Sequence, residues 1–551
     1  MLSKKIKWDF WTVITLVIAL VFTLFLIYPL FSLFISGFQN PTTGEWGMDN
    51  FARFFSRKYY YQGLINSFKV TICVTGLAIL IGVPIAYFMT TYKIKLKGLV
   101  EVLIIISMLS PPFIGAYSWV LLCGRSGVVT EFFRDVFGIK LPTIYGFTGI
   151  LLVFTLKLYP FIYLYVSGAL KKIDVSLSEA AESLGCTSFK KLWTIIIPLI
   201  LPTLMSGGLL VFMNAMADFG TPMLIGEGFN VMPVLIYSEF VGEMGGNANF
   251  AAAMATIMVL ITVVLFLWQK YIVNKKSFVM SSLRPIQPVE IKGIKGILVH
   301  AFIYIVVFLS IIPQVTVIYT SFLKTRGSMF VREFSLESYE RIFSRMGSAI
   351  VNTYIYGGIA IVIIIIMGMF IAYISTRKRN FITGIIDTMT MFPYIIPGSV
   401  IGITLLLAFN SKPILLSGTA AIIIISFVIR RLPYTLRSSA AILYQISPNL
   451  EEASISLGCS PVKTFFKITA IMMLPGVLSG AILSWITVIN ELSSSVILYT
   501  GTTRTMSVSI YTEVIRASYG TAAALSTILT VTTVISLMIF FKATGGRNVN
   551  I

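Results

Sequence analysis

Three cations and two carboxylates are the side chains of this 551-residue protein best placed to do chemistry, because each interrupts an apolar run. Lys157 lies about ten residues into one run, some 15 Å deep at 1.5 Å per residue. Arg430, with Arg431 beside it, follows Lys157 by 273 positions, and Glu491 follows Asp218 by the same 273. Pro160 and Pro433 share that offset too, each three residues after its cation. A charge near a bilayer centre costs at least a few kcal/mol, so these side chains are expected to face a bundle interior or a wet cavity. Proline frees a carbonyl four residues back and kinks a helix. Charge and kink together could line a gate or a pathway that attracts an anionic cargo, such as a phosphorylated compound or a ferric ion carried with anionic ligands. Bare ferric iron would prefer carboxylates and phenolates. The competing reading pairs the cations with Asp218 and Glu491 as struts between helices, and the two are compatible.

Nothing else suggests catalysis or a resident metal. Cys73, Cys123, Cys186 and Cys459 show neither metal-ligand spacing nor a framework of extracellular pairs. The sole histidine, His300, stands at the start of an apolar run and reads as an interface residue. The sequence contains no G-x-x-x-x-G-K-[ST] phosphate loop, so the chain is not expected to bind ATP by that route.

The clearest signal is a polar loop that occurs twice. Glu179-Ala180-Ala181-Glu182-Ser183-Leu184-Gly185-Cys186 and Glu452-Ala453-Ser454-Ile455-Ser456-Leu457-Gly458-Cys459 are near copies at the same offset of 273. The match continues through Lys190 and Lys463 to Leu201-Pro202 and Leu474-Pro475. Ser176 with Glu179, and Asn449 with Glu452, have the spacing of a capping box at a helix start. Gly185 and Gly458 can take the positive φ that ends a helix sharply. A short helix and turn protruding from the membrane face follows, with Ala180, Ala181, Ala453 and Ser454 small enough to admit another surface. A lone copy would read as an amphipathic loop on the headgroups; two copies point to a partner met twice.

These residues need a membrane scaffold to hold them. Hydrophobic residues make up 57% of the chain and charged residues 12%, against roughly 25% charged in soluble domains. Apolar runs long enough to span a bilayer fall at about 10–36, 64–91, 99–123, 143–170, 199–225 and 251–273, then at about 297–323, 350–375, 382–409, 418–443, 470–498 and 521–541. The fold expected is an all-α membrane protein of about 12 transmembrane helices, two parallel six-helix repeats related by an axis along the membrane normal. The division expected is a first transmembrane domain at 1–280, a linker with Pro285 and Pro288 at 281–296, and a second domain at 297–551. The net charge of +20 sits in short basic clusters alternating with spans, which reads as topology and not as nucleic-acid binding. Both termini and both repeated loops are then cytoplasmic, and 227–249, with Glu227, Glu239 and Glu243 and no basic residue, is outside.

At these loops the chain resembles a known family. The EAA loop, Glu-Ala-Ala, three residues, Gly, nine residues, Ile, one residue, Leu-Pro, marks the permeases of binding-protein-dependent ABC importers. Glu179, Ala180, Ala181, Gly185 and Ile195 match, with Ile197-Pro198 at the Leu-Pro position. The second copy departs further, with Ser454 for the second alanine and Ala470-Ile471 for Leu-Pro. Two such loops in one chain resemble the fused permeases of the ferric-iron family, as does Ala217-Asp218-Phe219-Gly220-Thr221-Pro222. The resemblance implies a type I importer-like transmembrane domain in a bacterial cytoplasmic membrane. It implies coupling roles for Glu179, Ala180, Ala181, Gly185, Glu452, Ala453, Ser454 and Gly458. It further implies two copies of a cytoplasmic ABC ATPase that consumes the ATP, an extracytoplasmic solute-binding protein, and a cargo of ferric iron or an anionic phosphonate or phosphosugar. The rival is a secondary transporter driven by an ion gradient, which leaves the duplicated loop without a purpose.

Overall fold

The computed structural model describes residues 9–40, 43–108, 114–242, 246–275, 287–327 and 329–543. Helix dominates, as the apolar runs require. Among the described residues, nine helices are long and apolar enough to cross a membrane: Phe10–Gly37, Lys58–Thr91, Phe147–Leu170, Leu192–Ala217, Ala248–Trp268, Gly293–Ser321, Gly347–Arg377, Pro461–Ile489 and Tyr519–Ile539. Three of the twelve expected spans behave differently. The run at 382–409 is a bent pair, Phe381–Ile395 and Gly398–Ala408, turned through 112°. Pro397 sits at the break, extended and without an N–H, so the helix cannot continue through it. The run at 418–443 is a helix of 26 residues, Ala420–Gln445, long enough to span but carrying Arg430, Arg431 and Arg437. The run at 99–123 is described as Lys97–Met108 and Ile114–Cys123, and its middle lies outside the described residues. Residues 281–286 of the expected linker and the carboxylate Glu243 also lie outside them.

The chain folds as two compact units that interleave the sequence halves. One is drawn from Met1–Arg53, Ile236–Ile257 and Leu336–Val549, the other chiefly from Phe54–Leu235 and Met258–Ser335. The first span of each half therefore belongs to the unit formed by the body of the other half.

Each unit has the same three-helix centre. In the unit of the second half, Gly347–Arg377 packs on Ala420–Gln445 and Pro461–Ile489. A Cβ at Gly480 would lie 2.6 Å from the Thr435 Cα, so these two helices touch backbone to backbone. Thr435 and Ser484 hydroxyls bond at 2.8 Å, and Ser438 Oγ donates to Gly476 O at 2.6 Å. Small residues and hydroxyls replace hydrophobic pressure here, because lipid is as apolar as the helices themselves. In the other unit Lys58–Thr91, Phe147–Leu170 and Leu192–Ala217 repeat the arrangement, with a Cβ at Gly82 falling 2.7 Å from Ile162 Cβ.

The exchanged first spans are fastened by aromatic and polar contacts. The Trp11 ring lies 4.4 Å from Tyr373 and 5.0 Å from Phe465, and Tyr28 lies 5.8 Å from Phe409. In the other unit Tyr304 donates to Lys95 O at 2.8 Å and Ser118 to Pro313 O at 2.8 Å. His300 Nε2 accepts the N–H of Lys95, in the turn before the Lys97–Met108 helix, at 3.4 Å. A hairpin, Leu323–Arg326 antiparallel to Met329–Phe334, extends the Gly293–Ser321 helix where no strand was expected.

Candidate functional site

The two repeated loops end alike, residue for residue. Val175–Ser183 and Asn449–Ser456 are short helices, each followed by a leucine and then by a glycine in the left-handed region, Gly185 at φ +79° and Gly458 at φ +89°. The Cys186 N–H donates to Ala181 O and the Gly185 N–H to Glu182 O, both at 2.9 Å. In the second loop Cys459 donates to Ser454 O at 3.1 Å and Gly458 to Ile455 O at 2.9 Å. These crossed bonds form a Schellman motif, which satisfies the last carbonyls and stops the helix within one residue. Nothing lies within 4 Å of a Cβ built on either glycine. The backbone angle alone calls for glycine there.

The helix starts correct the sequence reading. Asp174, two residues before Ser176, is the N-cap of the first loop and accepts the Ser176 N–H at 2.9 Å. The second helix is preceded by Pro448 with no side-chain cap, and Glu451 and Glu452 occupy its first turn, where carboxylates favour the helix dipole. Neither expected capping box forms. The small residues also divide in role. Ala180 and Ala453 are exposed, whereas Ala181 and Ser454 turn inward at 4% and 6% exposure. Ser454 Oγ bonds Thr464 Oγ1 at 2.9 Å, tying helix to turn, and Lys191 with Glu182 does the same in the first loop. Glu451 fastens the second loop to its span through the Tyr373 hydroxyl at 3.0 Å and Arg377 Nε at 3.2 Å.

What the sequence reading missed is the leucine before each glycine. Leu184 is 85% exposed and Leu457 86%, more than any other large apolar side chain among the described residues. One turn or two earlier, Leu177 and Leu450 are 45% and 44% exposed. Each loop thus offers an apolar knob beside exposed Glu179 or Glu452. The signal was present in the identical Ser-Leu-Gly-Cys of both copies.

The intramembrane charges come together in the expected pairs. Lys157 Nζ donates to Asp218 Oδ2 at 2.8 Å, and Asp218 Oδ1 accepts the Thr221 N–H at 3.0 Å. In the other unit Arg430 and Arg431 both donate to Glu491, whose Oε1 also accepts the Ser494 N–H at 3.2 Å. The offset of 273 thus relates whole constellations: a cation on the span with the proline, a carboxylate after the next span, and a backbone N–H three residues beyond it. They differ in charge, one cation on Asp218 and two on Glu491. Arg430 packs so closely on Gly398 that a Cβ there would lie 2.5 Å from Nη1. Both arginine Nε groups, with the buried hydroxyls of Ser399 and Ser495, have no hydrogen-bond partner in the structure. Beside Lys157 is a cavity of about 20 Å³, lined in part by Ser107, Thr221, Ser310 and Gln314, room for about one water. Pro160 and Pro433 lie inside the Phe147–Leu170 and Ala420–Gln445 helices.

A family model described as "Binding-protein-dependent transport system inner membrane component" matches residues 78–278 and, a second time, residues 361–545. The chain belongs to this family. Each match of the binding-protein-dependent permease family contains one Schellman-closed loop and one cation–carboxylate constellation. The chain is 30% identical over 535 residues to the ferric transport system permease protein FbpB of Actinobacillus pleuropneumoniae, covering 95% of this chain and 77% of that one. It is 29% identical to a putative ferric transport system permease protein, FbpB 1, of Haemophilus influenzae, over 89% of this chain and 78% of that one. A putative 2-aminoethylphosphonate transport system permease protein, PhnU, of Salmonella typhimurium is 25% identical over 43% of this chain and 84% of its own length. The protein is thus a multi-pass permease with two family repeats in one chain.

Proposed function

We propose that this chain supplies both transmembrane halves of one ABC importer, the regions 1–280 and 297–551 joined at 281–296, and that each loop docks one copy of a separate cytoplasmic ATPase. The observation that carries the reading is the identical geometry of the two loops: helix, exposed leucine, left-handed glycine, crossed backbone bonds. Loops under no shared constraint have no reason to keep one Schellman turn and one knob in both copies. The exposed knob is a surface made for a concave partner, and hydrolysis in that partner would move the spans that follow each loop. An extracytoplasmic binding protein would deliver the cargo to the opposite face. The chain itself makes and breaks no covalent bond.

The cargo proposed is ferric iron, following the permeases similar over most of the chain. The anionic alternative has its support in the Arg430–Arg431–Glu491 cluster, which keeps a surplus positive charge, whereas Lys157 is matched by Asp218. The decisive test is reconstitution in proteoliposomes of the chain with its ATPase and binding protein. ATP-dependent uptake of ferric iron that stops when ATP is withheld supports the reading. Uptake that follows an imposed proton or sodium gradient without the ATPase would instead assign a secondary transporter.

A further inference from the structure

The first span carries a π-helical turn at Thr23–Ile27, where the Thr23 hydroxyl turns back onto Ala19 O at 2.8 Å. A π turn inserts one residue and swings the side chains around it away from regular helical register. At this turn the span does not close against its neighbours. Phe22, Phe25 and Leu26 face Ile363 and Met367 of the Gly347–Arg377 helix and Ile425 of the Ala420–Gln445 helix across a crevice of about 170 Å³. Every side chain lining it is apolar.

Three observations identify what fills it. Phe22 stands about 18 Å along its helix from Phe10 at 1.5 Å per residue, near the middle of a hydrocarbon core about 30 Å thick. The outer faces of the same helices are lipid-facing: Leu20 is 66% exposed, Val17 51%, Val362 55% and Ile366 50%, so the crevice opens among side chains already bathed in acyl chains. Water is a poor occupant, since it needs two to four polar partners and the lining offers none, whereas an apolar cavity of roughly 150 Å³ takes up benzene. We infer that this crevice is a binding site for one acyl chain of a membrane phospholipid, wedged between the first span and the helix that carries Arg430 and Arg431. Met367, unbranched and adaptable, suits a ligand whose shape varies. The inference needs only that the chain spans a bilayer and is independent of the cargo.

The test uses the full chain in nanodiscs containing phosphatidylcholine with a diazirine on the acyl chain, irradiated and mapped by peptide mass spectrometry. When the labelled lipid of the disc is chased with excess unlabelled lipid before irradiation, adducts on Phe25, Met367 and Ile425 are expected at least about 5-fold above those on Leu20 and Val362, because a held chain is exchanged later than the bulk lipid bathing those two residues. The variants Ile425→Phe and Met367→Phe, which fill the space, should erase that excess and leave Leu20 labelling unchanged. If a filled variant does not fold, the distribution of adducts on the unaltered chain decides. Labelling no denser in the crevice than at Leu20 would overturn the site. Labelling by a free diazirine fatty acid but not by the phospholipid would overturn the source.

Discussion

Lys157 and Asp218 meet at 2.8 Å, and the second oxygen of the same carboxylate is held by the Thr221 N–H. The carboxylate is fixed by backbone, and the lysine completes it. Lys157→Met leaves that carboxylate without its cation, at side-chain exposures of 24% and 12% for the pair. Partial exposure places the loss below the 3–5 kcal/mol of a fully buried pair, at about 1–3 kcal/mol. Adding Asp218→Asn should restore the melting temperature measured in detergent. Normal uptake by the restored double variant makes the pair a strut; a stable double variant that does not transport makes the charge part of the pathway.

Glu491 should tolerate the loss of one arginine better than the loss of its own charge. Arg430→Met leaves Arg431 in place, whereas Glu491→Gln strands two guanidinium groups of 9% and 17% side-chain exposure. The expected cost of Glu491→Gln is about 3–5 kcal/mol, enough to remove the folded protein from the membrane fraction. Equal expression of the two variants would show that the carboxylate does not hold the cluster.

The left-handed glycines give a conformational prediction. Gly185→Val and Gly458→Val force a β-branched residue to positive φ at a cost of roughly 1–2 kcal/mol each. Space is open around both positions, so the spans should remain folded. The ratio of transport to ATP hydrolysis should fall. Asn, which tolerates the left-handed region, should retain coupling at either site. Valine variants that transport as well as the unaltered chain would remove the reason for the turn.

Much of this was legible beforehand, and the parts that were not have physical causes. Long apolar runs fix their own helices, because no other structure but a closed barrel satisfies a backbone in lipid. Hydropathy is silent on which neighbour a span chooses, so the placing of Phe10–Gly37 with the second half and of Gly293–Ser321 with the first was invisible. The cation–carboxylate pairs were legible because a buried charge demands a partner and one offset connected them. The caps were misread because Asp174 and Ser176 are both good N-cap residues, and a spacing rule cannot say which one begins the helix. Leu184 and Leu457 were passed over because an exposed leucine has no signature in composition; only their place before a positive-φ glycine sets them apart.

Sidedness follows from the basic clusters. In a background without the four native cysteines, Lys190→Cys and Lys463→Cys should react with an impermeant maleimide only from the cytoplasm, and Lys412→Cys only from outside. All three positions are exposed. Reaction of Lys190→Cys and Lys463→Cys from opposite sides would break the parallel repeat.

Leu184 and Leu457 are the side chains each loop would present to the ATPase, and they permit the most direct measurement. Leu184→Asp and Leu457→Asp alter side chains that pack against little within the chain, so expression and melting should not change. A charge placed on a buried interface knob costs at least about 2 kcal/mol, or some 30-fold in affinity. The amount of ATPase retained when the tagged permease is purified should therefore drop with each single variant and vanish with the double. If the double variant keeps its full complement of ATPase and transports at the unaltered rate, these loops are not where the motor docks.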